Sequence, residues 1–129
     1  MRIYNLTQHP ATPEQKAQGV IDLPDVDRRM LANLLTFDEI PSQDDMTSRA
    51  MAIVNLLADI APGGQTVMIG GAPFFMSTLE GILIQAGHTP VYAFSKRVSV
   101  ETQNPDGSVT KTNKFIHEGF VTPSIFSNL

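Results

Sequence analysis

The chain has 129 residues and a mass of 14.1 kDa, a size typical of one domain with one hydrophobic core. Hydrophobic residues make up 42% and charged residues 17%, which excludes extensive disorder. The net charge of −4 argues against bulk DNA or RNA binding, which needs a basic surface, but is compatible with a small anionic ligand. The chain has no cysteine, no signal-like N-terminus and no apolar run long enough to cross a membrane, so we expect a cytoplasmic protein.

The first half of the chain shows a strand, a short helix, a second strand and then two longer helices. Residues 2–6 are β-formers followed by a polar cluster, so a first strand delivers His9 to a loop at its C-terminal end. Thr12 and Gln15 have the spacing of a capping box, which predicts a short helix after Thr12. The spacing of apolar residues then fits a strand at 20–23 and helices at 24–35 and 43–61.

The next part of the chain has the pattern of a strand–helix–strand unit. Residues 65–69 have the composition of a buried strand, and a glycine-containing loop at 70–73 leads into an apolar helix at 74–86. A further strand at 91–95 completes the unit. Its crossover is expected to be right-handed and its two strands parallel.

The last part of the chain differs in kind. Two alternating runs, 98–103 and 109–120, flank a turn at 104–107 and predict an antiparallel hairpin. We therefore predict one three-layer α/β domain over residues 1–129, with a mainly parallel sheet that the C-terminal hairpin extends.

Three strand ends are predicted to meet at one edge of this sheet. Ligands of open parallel sheets bind outside the carboxyl ends of the strands, so residues that follow the strands are candidate ligand contacts. Backbone N–H groups at a helix start, two cations, a hydroxyl and an imidazole together suit phosphate groups. The candidates are Thr7, Gln8 and His9 after the first strand, Gly70 and Gly71 after the middle strand, and Ser95, Lys96 and Arg97 after the next.

Each of these features also has an ordinary structural interpretation. The loop 70–73 is typical of a sharp turn and matches neither a dinucleotide-binding glycine motif nor a P-loop. Lys96 and Arg97 are typical of a solvated surface pair, His88 of an exposed charge after a helix, and His117 of a packed aromatic in a strand. The separated histidines and the lack of cysteine predict no metal site and no cofactor, and no G-x-S-x-G motif indicates a serine hydrolase.

Three motifs occur together in the second half of the chain. They are P-x-Y-x-x-S-K-R-x-x-V-E at residues 90–101, D-G-S-V at 106–109 and F-x-H-x-x-F at 115–120. With them the chain resembles the small Csx-type CRISPR-associated proteins that accompany type III systems and are regarded as ring nucleases. The resemblance covers residues 64–121, with a weaker echo around His9. It implies a Rossmann-like homodimer that binds cyclic oligoadenylate, with cyclic tetra-adenylate expected, and linearises it to switch off signalling.

The resemblance also fits a mechanism without a metal, in which a ribose 2′-OH attacks its own phosphate and the protein supplies position and charge stabilisation. Lys96 and Arg97 are expected to stabilise the charge on the scissile phosphate, and His9 to transfer the proton. Thr7, Gly70 and Gly71 are expected to contact the ligand, and Ser95 or Gln8 to orient the 2′-OH.

The loop at 70–75 is less polar than in the family that the chain resembles, which leaves alternatives open. One is a sensor or sponge that binds a nucleotide without turnover. The others are a mobile-element protein with another function and an adaptor that presents an apolar surface to a protein partner.

Overall fold

The computed structural model describes residues 1–123 and contains a five-stranded sheet with helices on both faces. The strands lie in the order β2-β1-β3-β4-β5; the first four in this order are parallel, and β5 is antiparallel to β4. The predicted α/β fold with a mainly parallel sheet and a C-terminal antiparallel hairpin is therefore confirmed. The strands are β1 (Ile3–Leu6), β2 (Val20–Asp22), β3 (Thr66–Ile69), β4 (Thr89–Gln103) and β5 (Val109–Val121), and the helices are α1 (Pro13–Ala17), α2 (Asp25–Leu35), α3 (Gln43–Ile60) and α4 (Pro73–Gln85).

Local sequence signals fix the starts of two helices. Thr12 Oγ1 accepts a hydrogen bond from the Gln15 N–H at 3.1 Å, and Gln15 Oε1 accepts one from the Thr12 N–H at 3.0 Å, so the predicted capping box begins α1. Ser42 Oγ accepts from the Asp45 N–H at 3.0 Å and begins α3. These caps satisfy backbone donors that would otherwise lack a partner in the first turn.

The core is divided between the two faces of the sheet. Alternation along β3 sends Val67 and Ile69 into the larger cluster, which includes Phe75 of α4 and Ile53 of α3. Met68 points the other way, into a smaller cluster that contains Ala11, just before α1. The three layers are thus α1, the sheet, and the helices α2 to α4. No helix within residues 1–123 has both the length and the apolarity to cross a membrane.

The prediction that a strand ends at Ser95, Lys96 and Arg97 is wrong. β4 runs without a break from Thr89 to Gln103, because the antiparallel ladder with β5 continues past the parallel part of the sheet. The side chains at 95–97 are exposed, so polar residues there carry no burial cost. Residues 94–118 form a two-stranded projection, which we call the arm.

The prediction that His88 is an exposed charge is also wrong. Its side chain is 8% exposed, and Nδ1 accepts a hydrogen bond from the Gln65 N–H at 3.0 Å. Burial lowers the pKa of His88 from its ordinary value of 6.5. The imidazole is therefore held in its neutral form, as the acceptor that the Gln65 N–H requires.

This burial predicts a loss of stability on mild acidification. Below about pH 6.5 the unfolded chain takes up a proton at His88 that the folded chain resists, so the free energy of unfolding falls as the pH falls. Urea unfolding at pH 7.5 and 5.5 measures the effect. His88→Gln should reduce the difference between the two pH values; a difference in the variant equal to that of the wild type would contradict the assignment.

Candidate functional site

A cleft of about 420 Å³ opens at the carboxyl ends of β1 and β3. The connection from β1 leads to β2 on one side, and the connection from β3 leads to β4 on the other, so the direction of the sheet order reverses between them. Open α/β sheets bind their ligands at such a switch point. The cleft is lined by Thr7, Gln8, His9, Pro10, Thr12, Gln15, Met68, Ile69, Gly70, Gly71, Tyr92 and Ala93.

The loop after β1 is held in place by Asn5, which is 3% exposed. Asn5 Nδ2 donates to the His9 carbonyl and to Asp22 Oδ1, both at 2.8 Å. Its Oδ1 accepts from the Thr7 N–H at 2.9 Å and from Thr7 Oγ1 at 2.7 Å. Both amide protons and the carbonyl oxygen are thus used, and the backbone that carries His9 is fixed to the sheet.

Asp22 at the end of β2 extends this network. Its Oδ1 also accepts from the Ala11 N–H at 2.9 Å. Burial raises the pKa of Asp22, but the hydrogen bonds from Asn5 and Ala11 and the charges of Arg28 and Lys16 outweigh it, so the pKa lies below the ordinary value. The carboxylate is therefore ionised at neutral pH and holds both ends of the loop.

The second wall of the cleft is the loop after β3. A Cβ on Gly70 would lie 3.6 Å from the Thr7 methyl carbon, which shows how closely the two loops approach. The loop leads into α4, whose N-cap Ala72 offers no side-chain hydrogen bond and whose first turn has no acidic residue. The start of this helix is therefore electrostatically suited to an anion.

The structure brings together five of the eight predicted site residues. Thr7, Gln8, His9, Gly70 and Gly71 all line the cleft, as predicted from the strand ends.

The other three predicted residues, Ser95, Lys96 and Arg97, lie on the arm and do not line the cleft. Ala93 is the last residue of β4 that does. At roughly 3.3 Å per strand residue, the backbone of Lys96 is ~10 Å beyond it. The catalytic roles of Lys96 and Arg97 stay predictions, and they require a ligand that extends out of the cleft.

Two basic residues that were not predicted as site residues lie nearer to the cleft than Lys96 and Arg97 do. Arg28 and Arg29 of α2 line an adjoining cleft of about 380 Å³ that shares Thr7 and Gln8 with the first. Gln8 Nε2 also donates to Thr36 Oγ1 at 3.0 Å, so α2 lies alongside the loop after β1. Their spacing from Ala32, four and three residues, places the two arginines on one face of α2 with it. The sequence alone does not show which other element that face contacts.

Tyr92 is a further lining residue that the site prediction omitted. Its hydroxyl makes a short hydrogen bond to Glu80 of α4. Burial, together with this carboxylate, raises the pKa of Tyr92 well above its usual range. The phenol is therefore protonated and positions the β4 side of the cleft without acting as a base.

Histidine and carboxylate side chains in residues 1–123 form no group of three or more that could hold a metal ion. The chemistry available in the cleft is that of an exposed imidazole at His9, amide and hydroxyl groups at Gln8 and Thr7, and backbone donors.

Comparison with known proteins places the chain in a family. Residues 1–121 match the model of the family described as "Uncharacterized protein MJ1673 family". No curated protein and no solved structure matches the chain. Because the match covers nearly the whole chain, the protein belongs to the MJ1673 family.

Proposed function

We propose that this member of the MJ1673 family binds cyclic oligoadenylate at the cleft between β1 and β3 and linearises it without a metal. The observation that supports this most directly is the convergence of His9, Gln8 and Thr7 with the Gly70 and Gly71 backbone at the switch point of the sheet. An imidazole beside amide, hydroxyl and backbone N–H groups suits a phosphodiester whose ribose carries its own nucleophile.

The size of the cleft bears on how a ring would be held. Pockets for small molecules have volumes of roughly 300–1,000 Å³, so a cleft of about 420 Å³ suits a ligand portion of roughly one nucleotide. A ring of several nucleotides extends beyond it, toward the adjoining cleft with Arg28 and Arg29 and toward a second copy of the chain. A two-fold homodimer would give such a ring one cleft from each subunit.

The proposed step conserves atoms and charge. The 2′-oxygen forms a bond to the adjacent phosphorus while the bond from phosphorus to the 5′-oxygen breaks, which leaves a 2′,3′-cyclic phosphate and a 5′-hydroxyl. His9 accepts the 2′-OH proton and returns a proton to the leaving 5′-oxygen. Backbone N–H groups of the loop after β3, together with Arg28, stabilise the charge that develops on the phosphate.

The test is incubation of the pure protein with cyclic tetra-adenylate and, separately, with cyclic hexa-adenylate, followed by mass spectrometry. Linear products that end in 2′,3′-cyclic phosphate, formed equally with and without EDTA, are expected. Intact rings that raise the melting temperature of the protein would indicate a sensor or sponge. Intact rings with no thermal shift would show that the cleft takes another ligand.

A further inference from the structure

The arm presents one face that combines apolar and basic side chains. Alternation along β4 and its register with β5 place Lys96 opposite Ile116 and Val98 opposite Lys114 on this face. Phe94 and Ile116 are 48% and 49% exposed. The face bears no acidic residue, and we call it the arm face; it consists of Phe94, Lys96, Val98, Val100, Thr102, Thr110, Thr112, Lys114 and Ile116.

The opposite face of the arm is different. Arg97 pairs across the ladder with Phe115, and Lys111 Nζ lies 3.6 Å from Glu101 Oε1 in an exposed ion pair. This face carries both basic and acidic side chains, and one basic and one acidic side chain pair with each other on it. It therefore serves as an internal comparison for the arm face.

The body of the protein carries a groove of complementary character. A cavity of about 590 Å³ lies between the loop from α2 to α3 and the first turn of α4. Ile40 is 99% exposed and Phe74 is 53% exposed at this groove, and Asp38 and Glu39 are part of its lining. We call it the body groove; its lining is Phe37, Asp38, Glu39, Ile40, Pro41, Met46 and Phe74.

The arm extends beyond the parallel part of the sheet as two strands that pair only with each other. Isolated two-stranded hairpins are marginally stable in water, because they bury little apolar surface. Among residues 1–123, the side-chain hydrogen bonds from the arm to the body are confined to its base, where Gln18 bonds to His117 and to the Glu118 carbonyl. The distal part, from Lys96 to Lys114, makes none of these bonds to the body.

We propose that the arm face of one copy docks in the body groove of a second copy, and that the exchange is reciprocal. Lys96 and Lys114 match Asp38 and Glu39 in charge, and the apolar side chains between the lysines match the apolar floor of the groove. A reciprocal exchange forms a closed two-fold dimer in which each arm and each groove is used once. The proposal rests on these two surfaces and not on the proposed function.

Charge favours a second copy over a nucleic acid as the partner. The arm carries four basic residues, but Glu101, Asp106 and Glu118 offset most of that charge, and Glu101 already pairs with Lys111. The chain as a whole has a net charge of −4, which disfavours the binding of a long nucleic acid along the arm, although a local site can still take a small anionic ligand. An acidic, apolar groove on the same chain is the better match for the arm face.

Analytical ultracentrifugation measures the first consequence. The wild-type protein is expected to be a dimer that dissociates on dilution. Ile116→Glu, which places an acid on the arm face, and Ile40→Glu, which adds one to the groove, should each weaken the dimer at least tenfold. Phe115→Glu changes the neighbouring residue, whose side chain lies on the opposite face, and should keep the dissociation constant of the dimer within about twofold of the wild-type value. Circular dichroism confirms that all variants are folded.

Cross-linking measures the second consequence, since the natural chain has no cysteine. A mixture of Ile40→Cys and Ile116→Cys proteins should form an intermolecular link with a short bismaleimide several-fold faster than a mixture of Ile40→Cys and Phe115→Cys. A monomer at all concentrations, a dimer that tolerates both glutamate variants, or equal cross-linking of the two mixtures would overturn the proposal. Binding of single-stranded RNA by a monomer, lost in Ile116→Glu, would assign the arm to nucleic acid instead.

Discussion

Asn5→Ala is expected to lower the free energy of unfolding by about 2–4 kcal/mol at neutral pH. The substitution removes four hydrogen bonds at once: two that Asn5 donates and two that it accepts from Thr7. It leaves the Thr7 N–H and the His9 carbonyl without these partners beside a buried position. Urea unfolding measures the loss, and the exposed control Asn55→Ala on α3 should change stability by no more than about 0.5 kcal/mol.

Asn5→Asp separates the donor role of the side chain from its volume. Aspartate keeps the oxygen that accepts from Thr7, but it replaces the amide donor with an oxygen facing the Asp22 carboxylate and the His9 carbonyl. Repulsion should destabilise this variant at neutral pH at least as much as Asn5→Ala, and protonation should restore part of the loss near pH 5. A neutral-pH stability equal to wild type would show that the donor contributes little.

The same two variants test how the cleft is built. Because Asn5 holds the backbone of His9, its loss should reduce ligand affinity in the cleft even where the protein remains fully folded. Isothermal titration calorimetry with cyclic tetra-adenylate, at a temperature where both variants are folded, measures this affinity. Unchanged affinity in Asn5→Ala would mean that the loop after β1 does not contact the ligand.

The local signals in the sequence explain why most elements were predicted correctly. Thr12 and Ser42 each accept a hydrogen bond from the backbone N–H three residues later, so their effect does not depend on the rest of the fold. The switch-point cleft followed from chain order, since parallel strands deliver their following loops to one edge of the sheet. Five of the predicted contacts lie there for that reason.

The errors arose where a residue's role depends on distant partners. Polar residues after an apolar run usually indicate the end of a buried strand. Lys96 and Arg97 instead continue β4, because β5 pairs with their backbone and the strand there does not need a core to pack against. In the sequence Asn5 is one residue of a short strand, and only the structure shows that its side chain bonds to Asp22 and Thr7. His88 follows a helix-ending glycine, a position typical of exposed charges. Its side chain is nevertheless buried, because Nδ1 accepts a hydrogen bond from the Gln65 N–H.

The position of the arm connects the two proposals without making either depend on the other. β4 borders the cleft at Tyr92 and Ala93 and then continues into the arm, so an arm held by a second copy would fix one wall of the cleft. Ligand binding should then strengthen the dimer. The two proposals fail separately, since a dimer can lack ring cleavage and a monomer can retain it.

His9→Gln is expected to reduce the rate of ring cleavage by roughly 10²–10⁴-fold, the range that a positioned proton-transfer group contributes. His9 is the one histidine that lines the cleft, since His88 is buried behind Gln65 and His117 bonds to Gln18 near α1. Glutamine keeps a polar side chain of similar reach but cannot relay a proton. Single-turnover cleavage of cyclic tetra-adenylate, with the dissociation constant measured alongside, separates catalysis from binding.

The expected signature is a large fall in the cleavage rate with affinity within a few-fold of wild type. His117→Gln is the matched control, because it makes the same chemical change outside the cleft and should leave the cleavage rate nearly unchanged. If His9→Gln instead weakens binding and lowers the rate only in proportion, His9 is a binding contact and another group moves the proton. If His117→Gln shows the larger fall, the reacting phosphate lies at the arm, near Lys96 and Arg97, and the cleft only holds the rest of the ring.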